Sequence, residues 1–176
     1  MTGDDRGPVH VQLVPLSAAV FAALADGDLA AAERISPVPL SPFFAGPDWT
    51  SVWRRRARQL ADSPGDAGWV TQVIWDVDRQ LAVRRAGFHG PPDDAGMVEI
   101  GYAVDPAFRR RGYARRPAHP AGAGPARTGR VTRLSIGPGN TASRQLAGWY
   151  GFVQVDVQLD DEDGLELVYQ RSAKQA

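Results

Sequence analysis

The chain has 176 residues, 43% of them hydrophobic, which is enough for one domain with its own core and too few for two. With 20 basic and 20 acidic residues its net charge is +0, so no global field draws it to nucleic acid or to an anionic membrane, and charge-driven recognition has to be local. It has no cysteine, which excludes disulfides, thiolate metal sites and cysteine nucleophiles; no apolar run approaches the ~20 residues of a membrane span, and the polar start carries no signal core, so a soluble cytoplasmic protein is expected.

Residues 9–13 alternate apolar and polar, as a strand does. Pro15 and Ser17 lead into the apolar run 18–25, a helix with Ser17 as N-cap, and Asp26-Gly27-Asp28 breaks it before a second short helix over 29–35. Prolines at 37, 39, 42 and 47 make 36–47 an extended loop, anchored by Val38, Leu40, Phe43 and Phe44. Asp48 is expected to cap the next helix, which gathers Trp49, Val52, Trp53, Ala57 and Leu60 on one face and turns Arg54, Arg55 and Arg58 elsewhere.

After Ser63-Pro64-Gly65 the period changes. Residues 69–75 are β-rich, 76–78 mark a turn, 81–88 form a second strand, and the loop 90–96 leads to a third strand over 97–104, completing an antiparallel meander. A strand over 131–136, a helix over 141–150, a strand over 152–159, an acidic turn at 160–164 and a last strand over 165–170 complete the chain. Early helices followed by a mainly antiparallel sheet make the class α+β, in a single domain over 1–176 with no internal repeat.

The strand over 97–104 runs without interruption into Val104-Asp105-Pro106-Ala107-Phe108-Arg109-Arg110-Arg111-Gly112-Tyr113-Ala114. A strand ending in an Arg-rich, glycine-containing turn gathers backbone N–H groups and positive charge at one point, which suits the pyrophosphate of a nucleotide-type cofactor. An ordinary Arg-rich turn is the bland alternative. A nucleic-acid patch over Arg109, Arg110, Arg111, Arg115 and Arg116 is disfavoured by the neutral chain and the lack of interleaved aromatics.

This V-D-P-x-x-R-R-x-G-x-A pattern resembles the acetyl-CoA-binding motif of the GNAT superfamily of N-acetyltransferases. Asn140-Thr141-Ala142-Ser143 followed by Gly151-Phe152-Val153 resembles the superfamily's second cofactor helix and next strand. Gly87-Phe88-His89-Gly90 and Val98-Glu99-Ile100-Gly101-Tyr102 resemble the branch that includes ribosomal-protein N-terminal acetyltransferases. The similarity covers roughly residues 9–114 and 131–171.

The resemblance implies a mixed sheet flanked by helices, with a central parallel pair formed by 97–104 and 131–136 that diverges at one end. It implies acetyl-CoA as co-substrate. The backbone of Tyr102, Ala103 and Val104 would pair with the pantetheine arm, and Arg109, Arg110, Arg111, Gly112, Tyr113, Ala114 and Arg115 would wrap the pyrophosphate. Asn140 would cap the following helix, touch the cofactor, or both, and Ser143 would be a secondary cofactor contact, with a plain helix-surface serine as the alternative. Glu99 is the candidate base, with a surface-facing strand glutamate as the alternative. The family's usual tyrosine acid falls on Ala147; Tyr150 is expected to pack, Tyr102 is a substitute whose strand position points toward the core, and the proton donor stays unassigned.

His10, His89 and His119 share no metal-ligand spacing and read as turn or surface residues, so no metal site is expected. Asp160, Asp161, Glu162 and Asp163 read first as a solvated hairpin tip and secondarily as an attraction for a cationic amine.

The segment 115–130 departs from the family pattern. Pro117, Pro120 and Pro125 fall where the family has a long helix, each interior proline costs ~3 kcal/mol, and a net stability of roughly 5–15 kcal/mol does not tolerate three. The segment holds no Leu, Ile, Val, Phe or Met to bury, so it is expected to be irregular or only fragmentarily helical, to leave apolar sheet surface uncovered, and to weaken acetyl-CoA binding. Preserved length with a destroyed pattern is what two compensating frame shifts in a GC-rich gene would leave.

The leading function is therefore acetyl transfer from acetyl-CoA to a primary amine of a protein N-terminus or small molecule, by a monomer or homodimer without nucleic-acid or membrane partners. The alternative is a catalytically impaired scaffold that binds a ligand or partner through the Pro- and Trp-rich region 36–56.

Overall fold

The computed structural model describes residues 10–109, 113, 131–161 and 164–172. The strands are β1 (Val11–Pro15), β2 (Gln72–Asp76), β3 (Leu81–Phe88), β4 (Met97–Val104), β5 (Val131–Ile136), β6 (Val153–Asp160) and β7 (Gly164–Ser172). The helices are α1 (Ala18–Ala25), α2 (Leu29–Ile35), α3 (Thr50–Asp62) and α4 (Thr141–Trp149). The expectations for 110–112 and 114–130, including the proline-rich segment and Arg110, Arg111, Gly112, Ala114 and Arg115, lie outside the described residues.

Local chemistry sets the helix boundaries. Ser17 Oγ accepts from the Val20 N–H at 3.3 Å to start α1, and Asp28 Oδ1 accepts from the Ala31 N–H at 2.8 Å to start α2. Asp48 does not cap α3 as expected. It lies inside a single 3₁₀ turn, Pro47–Trp49, and Trp49 occupies the cap position without a side-chain bond.

The loop 36–47 is tied down from inside. Phe44 and Leu40 are buried, and the Phe44 carbonyl accepts from Trp53 Nε1 at 2.6 Å. The Trp53 ring stacks between Phe21 of α1, with centroids 5.6 Å apart, and Phe44, at 6.4 Å. These aromatic residues of the 36–56 region therefore form core rather than a docking face.

The sheet has seven strands in the order β1-β2-β3-β4-β5-β7-β6. The expected meander β2-β3-β4 is antiparallel, and β1 adds a fourth strand at its edge. β4 and β5 run parallel as expected, with Met97, Val98 and Glu99 opposite Val131, Thr132 and Arg133 and no pairing beyond. β5 continues along its whole length with β7, so the sheet divides into two halves joined at three residue pairs. One cluster joins α1, α2, α3 and the loop 36–47 to Val73 and Trp75 of β2. A second joins Ile100, Leu134 and Ile136 to Ala147 and Phe152.

A register shift in the β2–β3 pair leaves Val83 without an opposite residue and changes the facing of the strand beyond it. Arg84 then stands opposite Ile74 and Arg85 opposite Val73, whereas an unbroken register would exchange the faces of the two arginines. Further along β3 the backbone meets the Val70-Thr71 segment so closely that a Cβ on Gly87 would lie 2.6 Å from Thr71 Cα and 2.7 Å from the Val70 carbonyl oxygen. Gly87→Ala is expected to cost roughly 1–3 kcal/mol through this overpacking, read as a lower urea midpoint; an unchanged midpoint would contradict the close approach.

Candidate active site

Where β4 and β5 separate, a cavity of about 340 Å³ opens. Ile100, Gly101 and Tyr102 line it from β4, and Leu134, Ser135 and Ile136 from β5. Residues of β4 beyond Glu99 have no β5 partner, so backbone polar groups on that side face the opening instead of another strand. Asn140 and Ser143, at the start of α4, also line it, and Asn140 Oδ1 accepts from the Ser143 N–H at 3.1 Å as the helix cap.

Glu99 stands at the last paired position of β4, and its side chain is 22% exposed. Ser135 Oγ donates to Glu99 Oε1 at 2.7 Å. Arg133 Nε lies 3.9 Å from Oε2, and His89 Nδ1 3.9 Å from Oε1. Behind Ser135, Gln158 Nε2 reaches both the Ser135 hydroxyl at 3.3 Å and Glu166 Oε2 at 2.8 Å, while Arg133 donates to Gln158 Oε1. The carboxylate is thus held at the cavity wall by the Ser135 hydroxyl, with Arg133 and His89 at a longer distance, rather than presented on an outer surface.

His89 lies at a bend with its side chain 43% exposed, as the sequence suggested, and it also joins the cavity wall. Its N–H donates to the Glu99 carbonyl at 2.8 Å, its carbonyl accepts from Arg56 Nη1 at 2.9 Å and Gln59 Nε2 at 3.0 Å, and its ring lines the cavity. Desolvation, and then the charges of Arg56, Arg55 and Arg85, pull its pKa below 6.5, with Glu99 opposing.

Tyr102 lines the cavity from β4, with its hydroxyl buried. Burial pushes its phenol pKa up against the influence of the neighbouring Ser143 hydroxyl, so it stays protonated near neutral pH. Ala147, at the family's tyrosine position, is buried in the second cluster, and Tyr150 packs against the same cluster as expected.

The start of the Arg-rich turn is fixed from below. Asp105 Oδ1 caps the 3₁₀ turn Pro106–Phe108 through the Ala107 N–H at 2.9 Å, and its Oδ2 accepts from Ser41 Oγ at 3.0 Å. Arg109 Nε donates back to the Val104 carbonyl at 3.3 Å. Tyr113 is gripped at both ends: its carbonyl accepts from the buried Arg84, and its hydroxyl donates to Asp76 Oδ2 at 2.6 Å. Burial alone would raise the Asp76 pKa, but the bonds from Tyr113 and Arg79 hold it below the usual value.

Sequence reading singled out Glu99, Tyr102, Asn140 and Ser143, and the fold brings all four to one cavity. Ala103 and Val104 are on the same strand but do not line it. Of the acidic turn, Asp160 lines the cavity and Asp161 is exposed. Arg56, Arg85, His89, Ser135, Gln158 and Glu166 were missed. Arg56 did leave a signal, since it falls on the helical stripe of Trp53 and Leu60, where an arginine is out of place.

The ring titration of His89, followed by NMR, is expected to give a pKa below 6.5, and Glu99→Gln to lower it further by removing the carboxylate that favours the imidazolium. A value above 6.5, or a rise in the variant, would contradict this electrostatic arrangement.

No family model matches the chain. An uncharacterized N-acetyltransferase, YjdG of Bacillus subtilis (strain 168), is 39% identical over 54 residues, which is 31% of this chain and 32% of that protein. The ribosomal-protein-S5-alanine acetyltransferase of Vibrio fischeri superposes with a TM-score of 0.62 at 14% identity, over 96% of each chain. The Microcin C7 self-immunity acetyltransferase MccE, solved with acetyl-CoA and AMP, superposes with a TM-score of 0.56 at 14% identity, over 92% of each chain. Together with the parallel β4–β5 pair at the centre of a mixed seven-stranded sheet, these similarities show that the chain has the GNAT-family acetyltransferase fold.

Proposed function

We propose that the protein is an acetyl-CoA-dependent N-acetyltransferase acting on a primary amine. The observation that carries this reading is the end of β4–β5 pairing at Glu99 and Arg133, with a hydrogen-bonded carboxylate at the edge of the resulting cavity. MccE, a structural neighbour, is described as bound to acetyl-CoA, which supports the same co-substrate here.

The residues fit that group. The β4 edge from Ile100 to Val104 offers backbone donors and acceptors to the amide-containing pantetheine arm, and the Arg84–Tyr113–Asp76 grip holds the turn assigned to the pyrophosphate. Bound acetyl-CoA would supply an acetyl thioester, whose C–S bond breaks as the amide bond to the acceptor nitrogen forms.

The chain's own groups do the rest. Glu99 takes the proton that the amine gives up, directly or through one water, and the single bond from Ser135 to Oε1 orients the carboxylate for it. His89, neutral near pH 7, leaves the carboxylate its charge instead of closing it into an imidazolium pair. Backbone N–H groups near Tyr102 offer stabilisation to developing negative charge on the acyl oxygen. Tyr102 lines the cavity but its hydroxyl is buried, so the group that returns a proton to the departing thiolate is left unassigned.

Glu99→Gln keeps the shape and loses the basicity. It is expected to leave acetyl-CoA affinity, measured by calorimetry, near its starting value while lowering turnover with a primary amine about 100-fold. The loss should be largest at pH values where the amine is mostly protonated. Unchanged turnover across pH would remove Glu99 from the chemistry.

A further inference from the structure

Gln158 lies on β6 and Glu99 on β4, with β5 and β7 between them in the sheet. Side chains bridge that distance. Arg133 and Ser135 are two residues apart on β5 and so project from one face of it, and Gln158 stands opposite Glu166 across the β6–β7 pair. All four side chains are half-buried at the level of the cavity wall.

One orientation of the Gln158 amide satisfies both of its charged neighbours. Its Oε1 accepts from Arg133, whose guanidinium can only donate, and its Nε2 donates at 2.8 Å to Glu166 Oε2, a carboxylate oxygen. Turned over, the amide would set N–H against guanidinium and oxygen against carboxylate. With the amide so fixed, Nε2 also donates to Ser135 Oγ at 3.3 Å. A hydroxyl has a single hydrogen, and that of Ser135 goes to Glu99 Oε1 at 2.7 Å. The direction of donation is therefore set along the whole chain, from Arg133 through Gln158 and Ser135 to Glu99. Gln158 itself makes no hydrogen bond to Glu99 among the described residues.

We propose that Gln158 is a positioning residue for Glu99: its amide keeps the Ser135 hydroxyl turned toward Oε1, so that Oε2 is held ready for the amine proton. Oε2 accepts no hydrogen bond among the described residues, and Arg133 Nε is 3.9 Å from it. This rests on the reading of Glu99 as the base and adds to the chemistry a residue from the outermost strand of the sheet. A packing role would depend on the shape of Gln158, whereas the positioning role depends on which of its end atoms carries hydrogen.

Two readouts test this, and one is independent of turnover. Gln158→Glu keeps the length and the bond from Arg133 but offers Ser135 an acceptor in place of a donor, and Gln158→Met keeps the length and loses both bonds. With trialanine or pentylamine as acceptor, each is expected to lower kcat about tenfold and to leave KM for the amine and for acetyl-CoA within about twofold. Ser135→Ala is expected to lose as much, and Gln158→Met added to it to lose no more, because Gln158 acts through the hydroxyl. By NMR, the side-chain carboxyl carbon of Glu99 is expected to shift in Gln158→Met and to stay in place when the same change is made in a Ser135→Ala background. Full turnover in Gln158→Glu, additive losses in the double variant, or a Glu99 resonance that ignores Gln158→Met would overturn the proposal. If the unaltered protein acetylates neither amine but the Glu99 resonance responds to Gln158 only through Ser135, the proposed function fails and this inference stands. If amines are acetylated and that resonance does not respond, the reverse holds.

Discussion

The parallel pairing of β4 with β5 lasts for three residue pairs, and each strand is then claimed by its outer neighbour. From Ile100 to Val104 β4 stays in register with β3, and from Leu134 to Ile136 β5 stays in register with β7. The half-sheets therefore stay intact on either side of the gap that opens after Glu99 and Arg133. Backbone groups left along it must find a partner, because an unmet buried amide costs about as much as a lost hydrogen bond, ~1–3 kcal/mol. An elongated ligand with its own amides is a natural partner, and the chemistry proposed here follows from where that ligand would end, beside Glu99.

A chain of zero net charge nevertheless buries several ionised groups, and their placement is asymmetric. Asp76 and Arg84 each bond to Tyr113, the one at its hydroxyl and the other at its carbonyl, and secure the turn that follows β4. Arg56 and Arg85 stand on the opposite side of the sheet, where the cavity is. The first pair holds the chain after β4 in place, whereas the second group lies on the cavity wall.

The elements were largely legible in the sequence, because apolar periodicity, the Ser17 cap and the break at Asp26-Gly27-Asp28 are local signals, and the structure keeps them, adding Asp28 as the cap of the second helix. The parallel pair was legible for a different reason: the strand ending at Val104 matched a motif whose fold is known. What was not legible depended on events between distant segments. A single unpaired residue at Val83 decides that Arg84 supports the turn while Arg85 faces the cavity, and nothing in the run Leu81–Phe88 announces it. Ser135, Gln158 and Glu166 form their network with Glu99 only because β5, β6 and β7 converge there, and each is an ordinary strand residue when read alone. Asp48 failed as a cap because Pro47 starts a 3₁₀ turn one step earlier.

Amide hydrogen exchange at residues 100–104, with and without saturating acetyl-CoA, tests the central claim most directly. If the unpaired edge of β4 receives the pantetheine arm, exchange at Tyr102, Ala103 and Val104 slows on addition of acetyl-CoA, and Gly112→Asp, which sets a negative charge against the pyrophosphate, abolishes the slowing. Exchange along β4 that does not respond to acetyl-CoA, or a response that survives Gly112→Asp, would contradict the account.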